Sequence, residues 1–323
     1  MAAQEQADPA ARALAALGYA YGARDDARAG DERYYTLNQL ADKTKGFEWK
    51  GQEDYDRVAV ACAAYCKSRL EVHCRLAPVA MGEATIWASP GDAGPAAPLV
   101  FLVCGSNPGG SAGVWGRSLC VNATLGEGAM FDYVARAARD LGGNVVVADP
   151  NVSEDRGREI PGSECAHTHL CTLWDLAIPA ASTRDVVIVA HSYGAAAVAY
   201  LFKAVPRARD RIKAVAFTDG CALCGSVLQE LPPGESVPKL AAKMKPVLAH
   251  APRAFEADAA AAAALAAVAR NFVASEAPLG APVAGGCGID QVSAGHTAHP
   301  ATTAAATTAV FAFLAKKLKG EGA

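Results

Sequence analysis

A serine lodged between a β-branched run and an alanine-rich run is the first feature of this sequence that could do chemistry. Residues 185–202 read D-V-V-I-V-A-H-S-Y-G-A-A-A-V-A-Y-L-F. Val186 to Val189 predict a strand buried on both faces, as in a parallel sheet. Ala190-His191-Ser192-Tyr193-Gly194 follows, and then small apolar residues suited to a packed helix. A sharp strand-to-helix turn would present the Ser192 hydroxyl at the carboxyl edge of the sheet. The helix N-terminus and the Tyr193 backbone N–H would then face the negative charge that develops during acyl transfer. The pattern G-x-S-x-G is met except at Ala190, the smallest possible departure from Gly. The competing reading is that Ser192 only caps the helix. The apolar strand before it and the small residues after it favour a nucleophile.

A nucleophilic serine needs an oxyanion site, a base and an acid. Leu99 to Cys104 predict a buried strand that runs into Gly105-Ser106-Asn107-Pro108-Gly109-Gly110. Backbone N–H groups near Gly105 and Ser106 are placed to act with Tyr193 as oxyanion donors. A phosphate loop is the alternative, but no G-K-S/T follows and the G-x-G-x-x-G spacing fails. Trp115 and Arg117, just beyond the loop, could line a pocket. Three carboxylates compete for the acid. Asp219 directly ends the strand Ile212 to Thr218, Glu276 follows the next strand, and Asp290 lies in the last one. The base should come last in chain order, in the loop after the final strand, where His296 and His299 both stand.

The elements that must position these groups alternate. From Leu99 onward the chain predicts strands at 99–104, 144–148, 186–189, 212–218, 271–275 and 288–293. Helices are predicted at 128–141, 165–178, 238–268 and 304–318. This alternation predicts a mostly parallel sheet with helices on both faces, whose site lies at the strands' carboxyl edge. Residues 1–98 predict an N-terminal helical and irregular extension packed on a core of residues 99–323. Within it are an alanine-rich start, an aromatic stretch from Gly18 to Trp49, an amphipathic helix over 54–76 and a short strand at Thr85 to Trp87. Val152 to Ser163 and Leu223 to Pro238 are candidate lids. Serine, then an acid, then histidine is the chain order of α/β-hydrolases.

The chain has 323 residues, 52% of them hydrophobic, enough for a large core. Lys and Arg number 30 against 33 Asp and Glu, and no basic stripe marks a nucleic-acid footprint. No apolar run approaches the ~20 residues of a membrane helix, and the start M-A-A-Q-E-Q-A-D-P-A lacks a signal-peptide core. The expected compartment is therefore cytoplasm or nucleus. There the ten cysteines should be reduced and mostly buried as small hydrophobes. Cys62 and Cys66 are spaced for a metal, but no second pair adjoins them. Cys165, His167, His169 and Cys171 cannot all converge from one helix, and Cys221-x-x-Cys224 stands on another element. No metal or cofactor is expected.

Several motifs together resemble the argonaute-binding protein 2 domain family. They are H-S-Y-G at 191–194, T-D at 218–219, N-F-V-A-S-x-x-P-L-x-x-P from Asn271, and V-S-A-G-x-x-x-H from Val292. V-W-G-R-S at 114–118, L-W-D at 173–175 and L-G-Y at 17–19 extend the likeness over nearly the whole chain. The resemblance implies an α/β-hydrolase-like fold. It also implies either a serine hydrolase acting on a small acyl substrate, or a non-catalytic module with a partner in small-RNA silencing or chromatin regulation. It assigns the nucleophile to Ser192, the acid to Asp219 and the base to His299; chain position keeps His296, Glu276 and Asp290 in second rank. Cys104 stands where family members commonly carry His before the glycine loop.

Overall fold

The structure is a computed structural model that describes residues 8–23, 30–91, 93–94, 96–107, 110–220, 247, 249–251, 253–254, 256, 258–285 and 288–321. Its centre is an eight-stranded sheet. Strands β3 (Ala77–Met81) and β4 (Ala84–Ala88) form a hairpin at one edge. β5 (Leu99–Val103), β6 (Asn144–Val147), β9 (Val186–His191), β10 (Ile212–Thr218), β11 (Ala269–Val273) and β12 (Asp290–Ser293) are mutually parallel. The spatial order is β12-β11-β10-β9-β5-β6-β4-β3, and β4 runs antiparallel to β6. Two small antiparallel pairs stand apart: β1 (Tyr19–Gly22) with β2 (Thr36–Gln39), and β7 (Glu154–Asp155) with β8 (Arg158–Glu159).

β5, β6 and β9 read as near-continuous apolar runs because both their faces are covered. Side chains alternate between the two faces. Val100, Leu102, Val187 and Val189 enter a core shared with helices α2 (Gln52–Val72), α4 (Phe131–Leu141) and α8 (Thr302–Leu318). Leu99, Phe101, Ile188 and Phe217 enter the opposite core with α5 (Ala166–Ala177), α6 (Gly194–Ala204) and α7 (Ala259–Val268). Two further helices, α1 (Pro9–Ala16) and α3 (Arg117–Asn122), flank the first of these layers. α4 ends where Gly142 turns left-handed at φ +59°, its N–H closing back on Ala138.

The alternating part of the chain follows the predicted elements to within a few residues. Three features differ. The hairpin β3–β4 lies ahead of position 99 and yet belongs to the central sheet. Ala77–Met81 is a largely exposed edge strand, so it lacks the apolar alternation that betrays a strand. The segment expected as a surface loop at 153–163 contains the small β7–β8 hairpin. The helix expected over 238–268 is a helix from Ala259 to Val268, and much of its earlier part lies outside the described residues. The Leu223–Pro238 lid candidate and Cys221, Cys224 and Cys287 also lie outside them.

β5 has β6 on one side and β9 on the other. The connections leaving β5 and β9 therefore diverge and leave a crevice at the carboxyl edge. Gly105 stands two residues after β5, and Ser192 directly follows β9.

Candidate active site

Ser192 sits between β9 and α6 at φ +51°, a left-handed conformation that a non-glycine residue seldom adopts. Its N–H donates to the Thr218 carbonyl at 3.1 Å, tying the turn to the neighbouring strand end. The turn is crowded. A Cβ on Gly194 would lie 2.7 Å from the Cys104 carbonyl oxygen, and one on Gly105 would lie 2.8 Å from the Ser192 Cβ. Glycine is required at both places. Ala190 lies within β9, fully buried, and keeps its methyl group, so the sheet accepts this departure from the usual motif.

Asp219, the residue after β10, is also left-handed at φ +49°. Its N–H donates to the Phe272 carbonyl at 2.8 Å, and its Oδ1 accepts from the Ala274 N–H at 3.2 Å. Its Oδ2 lies 2.6 Å from Nδ1 of His299. Burial acts to raise the Asp219 pKa, but the His299 and Ala274 hydrogen bonds outweigh it and leave the carboxyl below its ordinary value. His299 opens the short turn His299–Ala301 ahead of α8, and the Thr302 hydroxyl holds its carbonyl at 2.9 Å. The His299 side chain is 48% exposed.

Ser192 and His299 line one pocket of about 220 Å³ at the sheet edge, together with Gly105, Ser106, Trp115 and Arg117. Tyr193 begins the turn of α6, and Gly105 touches Ser192 from the β5 side. Glu276 is exposed beyond β11. Asp290 pairs with Arg270 at 2.7 Å. His296 is exposed, and its Nδ1 accepts the Ala298 N–H at 3.0 Å within its own loop.

Two residues of the site carried no separate signal in the sequence. Asn151 clamps the Gly105 loop. Its Nδ2 reaches the Gly105 carbonyl at 2.8 Å, the Ser111 hydroxyl at 3.0 Å and the Cys104 sulfur at 3.3 Å, and its Oδ1 accepts the Asn107 N–H at 3.0 Å. In the sequence it reads only as the third residue of an Asp-Pro-Asn turn. His191 lies buried below His299, with ring centroids 4.8 Å apart. Its Nδ1–H donates to the Thr218 carbonyl at 2.9 Å, near the Thr218 and Thr303 hydroxyls. Burial and the nearby His299 lower its pKa to about 4, so it is neutral at physiological pH. Cys104 is buried and its thiol is pushed up to about 12, chiefly by that burial. It acts as a small packed side chain under the loop.

Among the described residues no group of three or more His, Cys, Asp or Glu side chains is placed to hold a metal ion. Cys62 and Cys66 pack in the core, with Cys66 Sγ 3.9 Å from Cys120 Sγ. His169 bonds Ser163 at 2.8 Å, and His167 packs on Tyr193 and Tyr200. No helix among the described residues is long and apolar enough to cross a membrane.

The sheet order and the strained serine turn at its carboxyl edge define an α/β-hydrolase-like protein. No family model matches the chain. A cotranscriptional regulator ARB2A homologue from Dictyostelium discoideum is 30% identical over an alignment covering 33% of this chain and 37% of that protein. A FAM172 family protein homologue from Caenorhabditis elegans is 30% identical, covering 64% of each. The chain is similar to these ARB2A and FAM172 family proteins and spans 37% and 64% of the length of the two curated relatives. Among solved structures, a thioesterase candidate from Silicibacter is 16% identical with a TM-score of 0.43, covering 82% of this chain and 94% of that one. Brefeldin A esterase is 14% identical with a TM-score of 0.31, covering 82% and 76%.

Proposed function

We propose that the chain is a serine hydrolase that cleaves small acyl esters. The observation that carries this reading is the His299–Asp219 pair at 2.6 Å, with His299 in the same pocket as the strained Ser192. In this reading His299 takes the proton of the Ser192 hydroxyl as Oγ attacks the acyl carbon. The carbonyl electron pair moves onto its oxygen, where the N–H groups of Tyr193, Gly105 and Ser106 stabilise it. The tetrahedral intermediate collapses, and the alcohol leaves with the proton from His299. Water then attacks the acyl-enzyme, gives a proton to His299 and releases the acid, and the proton returns to Ser192. Asp219 holds the His299 tautomer and stabilises the imidazolium. Neutral His191 beneath it adds no opposing charge.

The test is a fluorophosphonate probe on purified protein. Labelling of the wild type, lost in Ser192→Ala and nearly lost in His299→Ala, supports the reading. Labelling that survives Ser192→Ala, or none at all in folded protein, overturns it.

A second reading is favoured by the name of the Dictyostelium relative, a cotranscriptional regulator. Here the same fold serves a silencing or chromatin partner in nucleus or cytoplasm, without turnover and without direct nucleic-acid contact. A Ser192→Ala chain that still captures the same partners and restores regulation in cells lacking the protein would favour this reading.

A further inference from the structure

The turn after β6 grips the glycine loop at both ends. Asn151 holds its beginning, at the Gly105 carbonyl and the Asn107 N–H. Asp149 holds its far end, where Oδ1 accepts the Ser111 N–H at 2.8 Å. The Ser111 hydroxyl closes the ring back onto Asn151 Nδ2 at 3.0 Å. Asp149 is only 2% exposed, so water does little to screen its charge. Its second oxygen, Oδ2, receives no directed hydrogen bond from the described residues. The compensating charge is Lys67, whose Nζ lies 2.9 Å from that oxygen. Lys67 comes from α2, in the N-terminal extension, and not from the strands that carry the site. Its ammonium lies 5.1 Å from the ring centroid of Trp87 on β4, a cation–π contact. Trp87 Nε1 donates in turn to Glu71, one turn further along α2, at 3.3 Å. Helix and hairpin together fix the lysine.

The backbone beyond the glycine loop is pressed onto this ion pair. Gly110 is left-handed at φ +86°, and a Cβ there would lie 2.8 Å from Val152 Cγ2, 3.3 Å from Asp149 Oδ2 and 3.5 Å from Lys67 Nζ. Gly113 is left-handed at φ +84°, and a Cβ there would lie 3.1 Å from Leu70 Cγ and 3.3 Å from the Cys66 carbonyl oxygen, both on α2. We propose that Lys67 and Asp149 are a positioning pair for the oxyanion donors, so that α2 completes a site whose reacting groups all lie on the α/β core. The inference rests on the hydrolase reading. Neither residue touches the substrate. A buried carboxylate that loses its cation is left uncompensated and must move or recruit another charge. Asp149 would then draw Ser111 with it, and through Ser111 and Asn151 the loop that begins at Gly105. A donor displaced by ~1 Å can cost ~10²-fold in rate.

The experiment follows Lys67→Met and Asp149→Asn in the full chain with two readouts. One is kcat and KM for nitrophenyl acetate. The other is the inhibition constant of trifluoroacetophenone. Ser192 Oγ adds to the carbonyl carbon of this ketone, the hydroxyl proton passes to His299, and the carbonyl electron pair moves onto its oxygen. The resulting hemiketal oxyanion occupies the donor site, so its affinity reports the donors directly. In both variants kcat and ketone affinity should fall together by about tenfold to a hundredfold, with KM within about threefold of the wild type. Lys67→Arg keeps the charge and should recover part of the loss. Rates and ketone affinity within about twofold of the wild type in both variants, whatever the melting temperature does, overturn the proposal. A loss confined to one of the two variants overturns the pairing. If Lys67→Met does not fold, Lys67→Met/Asp149→Asn leaves no lone buried charge, and the same two readouts on it decide. A wild type that turns over no ester and takes no fluorophosphonate label fails the hydrolase reading, and this inference falls with it. An active wild type beside unchanged variants overturns this inference alone.

Discussion

Two serine and histidine pairs sit in opposite settings in this molecule. Ser163 and His169 are fully buried beside α5, with Ser163 Oγ 2.8 Å from His169 Nδ1. Ser192 and His299 open onto a pocket at the sheet edge. By the pairwise contact alone the buried pair looks ready for nucleophilic chemistry. It is not, for three reasons. The Ser163 hydroxyl donates to the Val152 carbonyl at 2.8 Å, so its oxygen can only accept from the imidazole Nδ1–H. Burial drives the His169 pKa down to about 4, with no carboxylate at hydrogen-bond distance to favour the charged form. Neither residue lines the Ser192 pocket at the carboxyl edge of the sheet. The exposed site reverses each of these conditions. Its imidazole has a carboxylate at Nδ1, its serine stands at a strained turn, and both face open volume. A nucleophile is thus marked by the edge of the sheet and the third residue, and a serine beside a histidine is too little.

The largest expected effect cuts this comparison in half. Ser192→Ala should abolish fluorophosphonate labelling, whereas Ser163→Ala should label at the wild-type rate and melt lower. The second change leaves a buried imidazole N–H without its acceptor, which costs about 1–3 kcal/mol. Labelling that follows Ser163 instead would exchange the roles of the two pairs. Asp219→Asn should come next, slowing turnover by as much as ~10⁴-fold, because the amide no longer fixes the His299 tautomer.

Much of this was legible in the sequence. The central parallel strands are near-continuous apolar runs, and Ser192 and Asp219 directly follow two strands, so the edge they share could be read from chain order. The choice of Asp219 among the acids leaned on its place directly after a strand and on the family likeness. Glu276 and Asp219 both follow strands, and only the three-dimensional path shows Asp219 turning left-handed toward His299 while Glu276 stays exposed. Asn151 was invisible for a similar reason. Its contacts with 104–107 and Ser111 join segments about 40 residues apart or more, and an Asp-Pro-Asn turn has the same sequence whether or not it clamps anything. β3 was missed because an exposed edge strand carries no alternating pattern.

The Asn151 clamp gives the third prediction. Asn151→Ala removes the side chain that holds the Gly105 carbonyl and the Asn107 N–H at once. If the loop supplies oxyanion donors, kcat should fall by roughly tenfold to a hundredfold with KM little changed, because the lost contact matters most in the transition state. A drop in melting temperature with kcat intact would make Asn151 structural only, like Ser163.

A pH titration sharpens the comparison from the side of stability. His167, His169 and His191 are all buried, and that burial lowers each pKa from 6.5 to about 4. The unfolded chain binds these protons near pH 6.5, whereas the folded chain resists them down to about 4. Stability is therefore complete above pH 6.5, falls as the pH drops from there toward 4, and levels off below it. The loss is on the order of 3 kcal/mol for each histidine at most. Urea unfolding at pH 7 and pH 4.5 should show the difference, and His169→Phe should shrink it. A flat profile would mean that these imidazoles are hydrated in solution.

The smallest expected effects fall on the residues that compete with the proposed triad. His296 lies three positions before His299 in the same loop, but its Nδ1 is taken by the Ala298 N–H and its ring is exposed. Its backbone carbonyl accepts the Ser275 N–H at 3.0 Å, a contact that survives any side-chain change. His296→Ala should therefore keep the loop in place, leave turnover within about twofold and shift stability by no more than ~0.5 kcal/mol. Glu276→Gln should do as little, since the carboxyl is exposed. The two variants probe different halves of the assignment. A large loss in His296→Ala would move the base three residues back and leave the His299–Asp219 bond as a structural tie across β10 and α8. A large loss in Glu276→Gln alone would move the acid to the strand after β10. Nearly wild-type rates in both, beside the collapse in Asp219→Asn, would leave Asp219 and His299 as the acid and base on which Ser192 depends.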